Sequence, residues 1–93
     1  MKRQEIAENV ALKALTWLVG NEELLPVFMG ATGIGAEDLR NRAGEAELLA
    51  SVLDFLMMDD AWVMAFCDTE GLEYQEPMRA RMALPGGENV TWT

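Results

Sequence analysis

Apolar residues recur along most of the chain at the three- and four-residue spacing of an α-helix, interrupted by short polar or glycine-containing segments. The first pattern predicts a helix over Arg3–Val19 that ends at Gly20. A second helix carries the apolar run Leu24–Met29 behind an N-cap at Asn21. Because proline lacks an N–H donor, this helix either kinks at Pro26 or begins later than the cap suggests. Two helices are thus predicted in the first third of the chain.

Three further amphipathic helices are predicted beyond the glycine-rich segment at 30–35. A short one lies within 37–44, and a longer one over Glu45–Met58 carries a leucine-rich stripe opposite a polar face. Another begins near Pro77 and stops at Pro85, which glycines follow.

One more predicted helix, Ala61–Asp68, is capped by Asp59 or Asp60 and carries seven consecutive apolar residues at its start. A helix that is apolar on every side is usually buried in the centre of a protein. The run Leu24–Met29 has the same character. We therefore expect these two helices to pack against each other, flanked by the helices that precede them, with Ala61–Asp68 the most buried element.

The chain echoes itself: residues 52–72 repeat features of residues 14–34 at an offset of 38 positions. Both segments run in the order apolar helix, polar cap, all-apolar helix, glycine, aliphatic residue. An internal duplication with repeats 11–43 and 49–82 explains this echo, and chance similarity between amphipathic helices is the alternative. The identical pairs are Leu15 and Leu53, Leu18 and Leu56, Phe28 and Phe66, and Gly33 and Gly71.

These patterns predict an all-α protein, a compact bundle of five or six short helices with pseudo-two-fold character. At 93 residues and 51% hydrophobic content the chain has room for one domain with a real core. We place that domain over 1–87 and expect 88–93 to be a poorly ordered tail.

The formal net charge of −9 disfavours binding to nucleic acid or to anionic membranes, both of which need lysine and arginine. Residues 43–78 contain nine acids and no basic residue. This imbalance either keeps the protein soluble or forms a surface for a basic partner. A lone cysteine, no signal peptide and no apolar run long enough to span a membrane predict a cytoplasmic protein.

The absence of histidine removes the commonest general base and transition-metal ligand, and no phosphate-binding loop or calcium loop occurs. We therefore predict no catalytic residue, no metal and no cofactor. The thiol of Cys67 is expected to be a core group. Asp54, Asp59 and Asp60 resemble a hard-metal cluster, but capping explains the latter two.

The candidate functional surface is an acidic, methionine-bearing face. Exposed methionines beside acids form an adaptable groove for a basic amphipathic helix, although methionine also fills irregular gaps in small cores. We expect the other methionines to be core. The residues predicted for the partner surface are Met57, Met58, Asp54, Asp59 and Asp60.

Three signatures carry a resemblance: Leu-Pro-x-Phe at 25–28, Asp-Leu-Arg at 38–40 and Val-Leu-Asp-Phe-Leu at 52–56. Together they make the chain resemble a small alphaproteobacterial family of unknown function over roughly Ala11 to Leu84. The resemblance implies a compact helical, cytosolic bacterial protein and brings no activity and no functional residues.

The function predicted from these observations is a non-catalytic interaction module that binds a protein partner or a second copy of itself. The alternative is a small enzyme or ligand carrier that relies on carboxylates alone. That alternative requires a concave pocket between the two repeats, lined by Asp54 or Asp60.

Overall fold

The computed structural model describes residues 3–84, which form six α-helices and no strand within that range. The all-α prediction is confirmed, and the helices fold into one compact body. In chain order they are α1 (Arg3–Val19), α2 (Leu24–Thr32), α3 (Ala36–Asn41), α4 (Ala46–Leu56), α5 (Asp60–Glu70) and α6 (Glu76–Ala83).

The centre of the bundle consists of α1, α4 and α6, which make the most extensive helix–helix contacts among the described residues. Three alanines of α1 are buried: Ala7, Ala11 and Ala14. Such small side chains let neighbouring helices approach closely. In α4, seven of the eleven residues are buried. The most buried helix is therefore α4.

The prediction that α5 and α2 form a mutually buried centre is wrong. Each of them packs on α1 and α4 rather than extensively on the other. In α5 only Phe66 and Cys67 are buried, and in α2 only Phe28. The physical reason is that α6, which has little apolar character of its own, packs across α1 and α4 through Pro77, Ala80 and its last turn, so the centre is already filled.

The echo corresponds to equivalent positions in the fold. All six residues of the identical leucine and phenylalanine pairs are buried, and Gly33 and Gly71 both end a helix with positive φ, 76° and 72°. Two aromatic contacts also correspond: Trp17 meets Phe66 edge-on at 5.8 Å, and Phe55 meets Phe28 edge-on at 5.3 Å. The correspondence ends at the third helix of each half, because α6 is central whereas α3 has no buried residue. Common descent of the two halves stays a prediction.

Helix ends agree with the local sequence signals. The Oδ1 of Asn21 accepts hydrogen bonds from the backbone N–H groups of Glu23 and Leu24, both at 3.0 Å, so it caps the turn that leads into α2, whereas the N-cap position of the helix itself is Glu23. The helix begins at Leu24, which places Pro26 in the first turn, where no N–H donor is needed. The helix therefore accommodates Pro26 by beginning later than the predicted cap suggests and not by a kink.

Two other predicted boundaries have different outcomes. The fourth helix ends at Leu56, so it is two residues shorter at this end than the predicted Glu45–Met58. The predicted stop at 85–87 and the predicted tail at 88–93 lie outside the described residues.

Candidate functional site

The five residues predicted as a partner surface lie at the C-terminal end of α4, in the turn that follows and, for Asp60, at the first position of α5. Met58 is the most exposed large apolar side chain among the described residues, at 71%. Met57 is half-buried and packs against the core, whereas Asp54, Asp59 and Asp60 are exposed. The predicted set is thus local in space, but one of its members belongs to the core.

An open concavity of about 330 Å³ lies between α2 and α4. It brings Asp54 and Met58 together and does not include the other three predicted residues. Phe55 is buried and lies at its base, while Ala31 and Met58 are exposed on its sides. Its lining residues are Ala31, Thr32, Ser51, Asp54, Phe55 and Met58.

The carboxylates at this end of α4 already have internal partners. The Oδ1 of Asp54 lies 2.8 Å from the Nε of Arg81, which reaches across from α6. The Oδ1 of Asp59 accepts a hydrogen bond of 2.8 Å from the backbone N–H of Ala61, so it is the N-cap of α5. Capping therefore accounts for Asp59, as predicted, and an ion pair accounts for Asp54.

The hydroxyl groups in the concavity are also engaged. The Thr32 hydroxyl donates to the carbonyl oxygen of Phe28 at 2.7 Å, and the Ser51 hydroxyl donates to the carbonyl oxygen of Glu47 at 3.0 Å. Both hydrogens are thus directed into the protein's own helices. What these two side chains offer an incoming group is acceptor oxygen, not a hydroxyl donor.

The exposed face of α2 was not predicted from the sequence. Because α2 lies at the periphery, Pro26, Val27, Gly30 and Ala31 are exposed, although none of them is polar. Val27 lies one helical turn before Ala31, which lines the concavity together with Met58. An all-apolar run is compatible with burial on every side or with an exposed apolar face, and the first interpretation was the wrong one here.

Three of the remaining methionines do not follow the core prediction, whereas Met29 is partly buried and packs against the core. Met64 on α5 and Met78 and Met82 on α6 are all about half exposed, because both helices turn one side outward from the bundle. Exposure by itself therefore does not identify a site on this protein. What separates Met58 from the other three is its position beside the α2 face.

A larger cleft of about 610 Å³ lies where the C-terminal ends of α1 and α5 meet. Glu22, Glu23 and Glu70 line it together with the side of Trp17. No basic side chain of the described residues lines this cleft, and the positive end of a helix that lies beside it is the N-terminus of α2, directly after Glu23. Within residues 3–84 no group of three or more His, Cys, Asp or Glu side chains is arranged to hold a metal ion.

The thiol of Cys67 is fully buried in α5, which confirms the core prediction. It donates to the carbonyl oxygen of Glu73 at 3.4 Å. Burial, and then the nearby carboxylates of Glu76 and Asp68, raise the pKa of this thiol. A buried thiol with a raised pKa is a poor nucleophile.

Comparison with known proteins places the chain in a family. It matches the family described as "Protein of unknown function (DUF3572)" over residues 4–87 and belongs to that family. The expectation of a family of unknown function is confirmed, and the expected alphaproteobacterial origin stays a prediction. No curated protein and no solved structure matches the chain. Among the described residues, no helix is both long enough and apolar enough to cross a membrane.

Proposed function

We propose that the chain is a non-catalytic protein-interaction module. Its docking surface consists of the exposed face of α2 and the adjoining concavity, with Val27, Ala31 and Met58 as its main apolar residues. The observation that supports this proposal is the peripheral position of a helix in which Thr32 is the one polar residue. Single exposed apolar residues are ordinary on a protein surface, but an unpartnered apolar face is typical of an interaction site.

The occupant we propose is a protein partner rather than a second copy of the chain. Each copy of the chain carries a formal net charge of −9, so two copies repel each other and their association is opposed. The same charge disfavours nucleic acid and anionic membranes as partners. The absence of any cysteine other than Cys67 supports a cytoplasmic location.

Site-specific photo-crosslinking in the native cells tests this proposal. A benzophenone side chain placed at Ala31 is expected to crosslink one defined protein, whereas the same group at Gln4, exposed on α1, is not. The crosslinked protein must then bind the purified chain. A crosslink to a second copy, or equal crosslinking from both positions, would overturn the proposed docking surface.

A matched pair of double variants tests the same surface with purified proteins. Val27 and Met58 are replaced by glutamine in one variant, and Val19 and Met78 in the other. The valines are 48% and 49% exposed, and both methionines are more than half exposed, so the two variants remove similar apolar surface. We expect V27Q/M58Q to weaken partner binding at least tenfold and V19Q/M78Q to leave it unchanged. Equal loss in both variants would contradict the proposal.

The second candidate function is a carboxylate-dependent enzyme or ligand carrier. The concavity lined by Asp54 favours it, because a pocket of this kind between the two halves is what that function requires. However, the Asp54 side chain is 57% exposed and paired with Arg81, and a general acid or base usually sits in a less solvated environment. It is therefore the weaker of the two candidates.

A further inference from the structure

Negative charge surrounds the docking surface. From Leu24 to Thr32, α2 contains no charged residue, so the nearby charges come from α4, from the start of α5 and from Arg81 of α6. Glu47 lies one helical turn before Ser51, which lines the concavity, and Asp59 and Asp60 directly follow Met58. These three carboxylates are exposed, and the segment 43–78 itself contains no basic residue. Basic side chains from outside the segment offset the acids only in part: Arg42 bonds Glu45 and interacts with Glu47, and Arg81 bonds Asp54.

Hydrogen-bonding capacity at the concavity points in the same direction. The Thr32 and Ser51 hydroxyls donate to backbone carbonyls of their own helices, and the Asp54 carboxylate can only accept. The single cationic group bonded at this site, Arg81, is already held by Asp54 at 2.8 Å. An incoming carboxylate or phosphate would therefore meet acceptor oxygens, to which it cannot donate a hydrogen bond. An ammonium or guanidinium group could donate hydrogen bonds to the same oxygens.

We propose that the element bound at the docking surface is a basic amphipathic helix of the partner protein, an inference that rests on the proposed function. Its apolar side packs against Val27, Ala31 and Met58. Its lysine or arginine side chains lie beside Asp54 and Asp60. A helix that presents apolar residues at three- and four-residue spacing to such a groove is a common mode of peptide recognition, and acidic flanks select a basic one.

Three synthetic peptides of 18 residues test the chemistry with the full chain. The first is a lysine–leucine helix with leucines on one face, the second has glutamate in place of every lysine, and the third has the first composition in scrambled order. We expect the first peptide to bind about tenfold or more tighter than either of the others, and its affinity to fall as salt is raised. Equal binding of the scrambled peptide would show charge attraction alone and would overturn the proposal.

Backbone amide shifts in NMR spectra locate the bound peptide. The shifts caused by the lysine–leucine peptide should fall on α2 and on residues 51–60. Shifts centred instead on the acidic cleft between α1 and α5 would overturn the inference.

Two charge-matched variants separate local recognition from the overall negative charge. Replacement of Asp54 and Asp60 by asparagine should weaken the lysine–leucine peptide about fivefold. Replacement of Glu5 and Glu37, exposed acids on α1 and α3, by glutamine makes the same change in net charge and should have little effect. An equal loss in both variants would refute a role for the acids at this surface.

The outcomes distinguish this inference from the proposed function. A crosslinked partner that depends on Val27 and Met58, but whose contact segment carries no net positive charge, would refute the basic helix and leave the docking surface intact. If neither that partner nor the lysine–leucine peptide responds to V27Q/M58Q, both the inference and the proposed function are wrong.

Discussion

The helices α2 and α4 are both rich in apolar residues, but the fold uses them in opposite ways. Seven of eleven residues in α4 are buried, against one of nine in α2. The difference lies in pattern and position: α4 has a polar face formed by Glu47, Ser51 and Asp54, and it contacts both α1 and α6. The polar face shows which side of α4 turns outward, whereas α2 has no such mark. Apolar content alone therefore does not decide which helix is core.

The largest expected effect that sharpens this comparison is in α4. Leu53 is fully buried, so replacement by alanine removes packing at the centre of the bundle and should cost about 2–5 kcal/mol of unfolding free energy. The same truncation at Val27, on the exposed face of α2, should cost about 1 kcal/mol or less. Urea unfolding of the two variants measures both values, and equal losses would break the comparison.

The next largest expected effect on the free energy of unfolding concerns the attachment of α2 to the bundle. Phe28 is its one buried residue, and Leu24 and Leu25 at its start are only partly buried, so the start of the helix depends in part on the hydrogen bonds that Asn21 accepts. We expect Asn21→Ala to lower the free energy of unfolding by about 1 kcal/mol, as is typical for loss of an N-cap. Amide hydrogen exchange should rise more in α2, which also opens locally, than in α4, where it follows only the global free energy of unfolding. A uniform rise across both helices would contradict this local dependence.

A smaller effect concerns α5, which resembles α2 in its peripheral position. The raised pKa of Cys67 means that the folded state keeps the thiol proton at pH values where the unfolded chain has begun to lose it. Ionisation therefore favours the unfolded state, and stability should decline as the pH rises above about 8.5. Unfolding of wild type and Cys67→Ala between pH 7 and 9.5 checks this, with a shallower decline expected for the variant. Parallel pH profiles would be contrary to this account.

Much of the fold followed from local signals in the sequence. The cap at Asn21 and the terminators Gly33 and Gly71 act through neighbouring backbone groups, so the sequence nearby is enough to predict them. The order and type of all six helices followed in the same way. The central position of α6 and the peripheral position of α5 could not be predicted in this way. They depend on which helix packs across α1 and α4.

The candidate site was predictable in part. Asp54 lies in the last turn of α4 and Met58 lies two residues beyond its end, and the structure brings both to one concavity. The α2 side of that concavity, with Ala31 and Thr32, comes from a region 20 or more residues earlier in the chain. No local pattern specifies that pairing. It arises from the packing of α2 on α4, where Phe28 meets Phe55.

The central claim is that the apolar face of α2 is a surface for a partner and not part of the core. The free energy of unfolding of V27Q/M58Q, compared with V19Q/M78Q, tests it most directly. If the claim is right, both variants unfold within about 1 kcal/mol of wild type, because all four side chains are substantially exposed. If V27Q/M58Q instead loses about 3 kcal/mol or more while its control does not, these residues stabilise the fold and the docking surface does not exist.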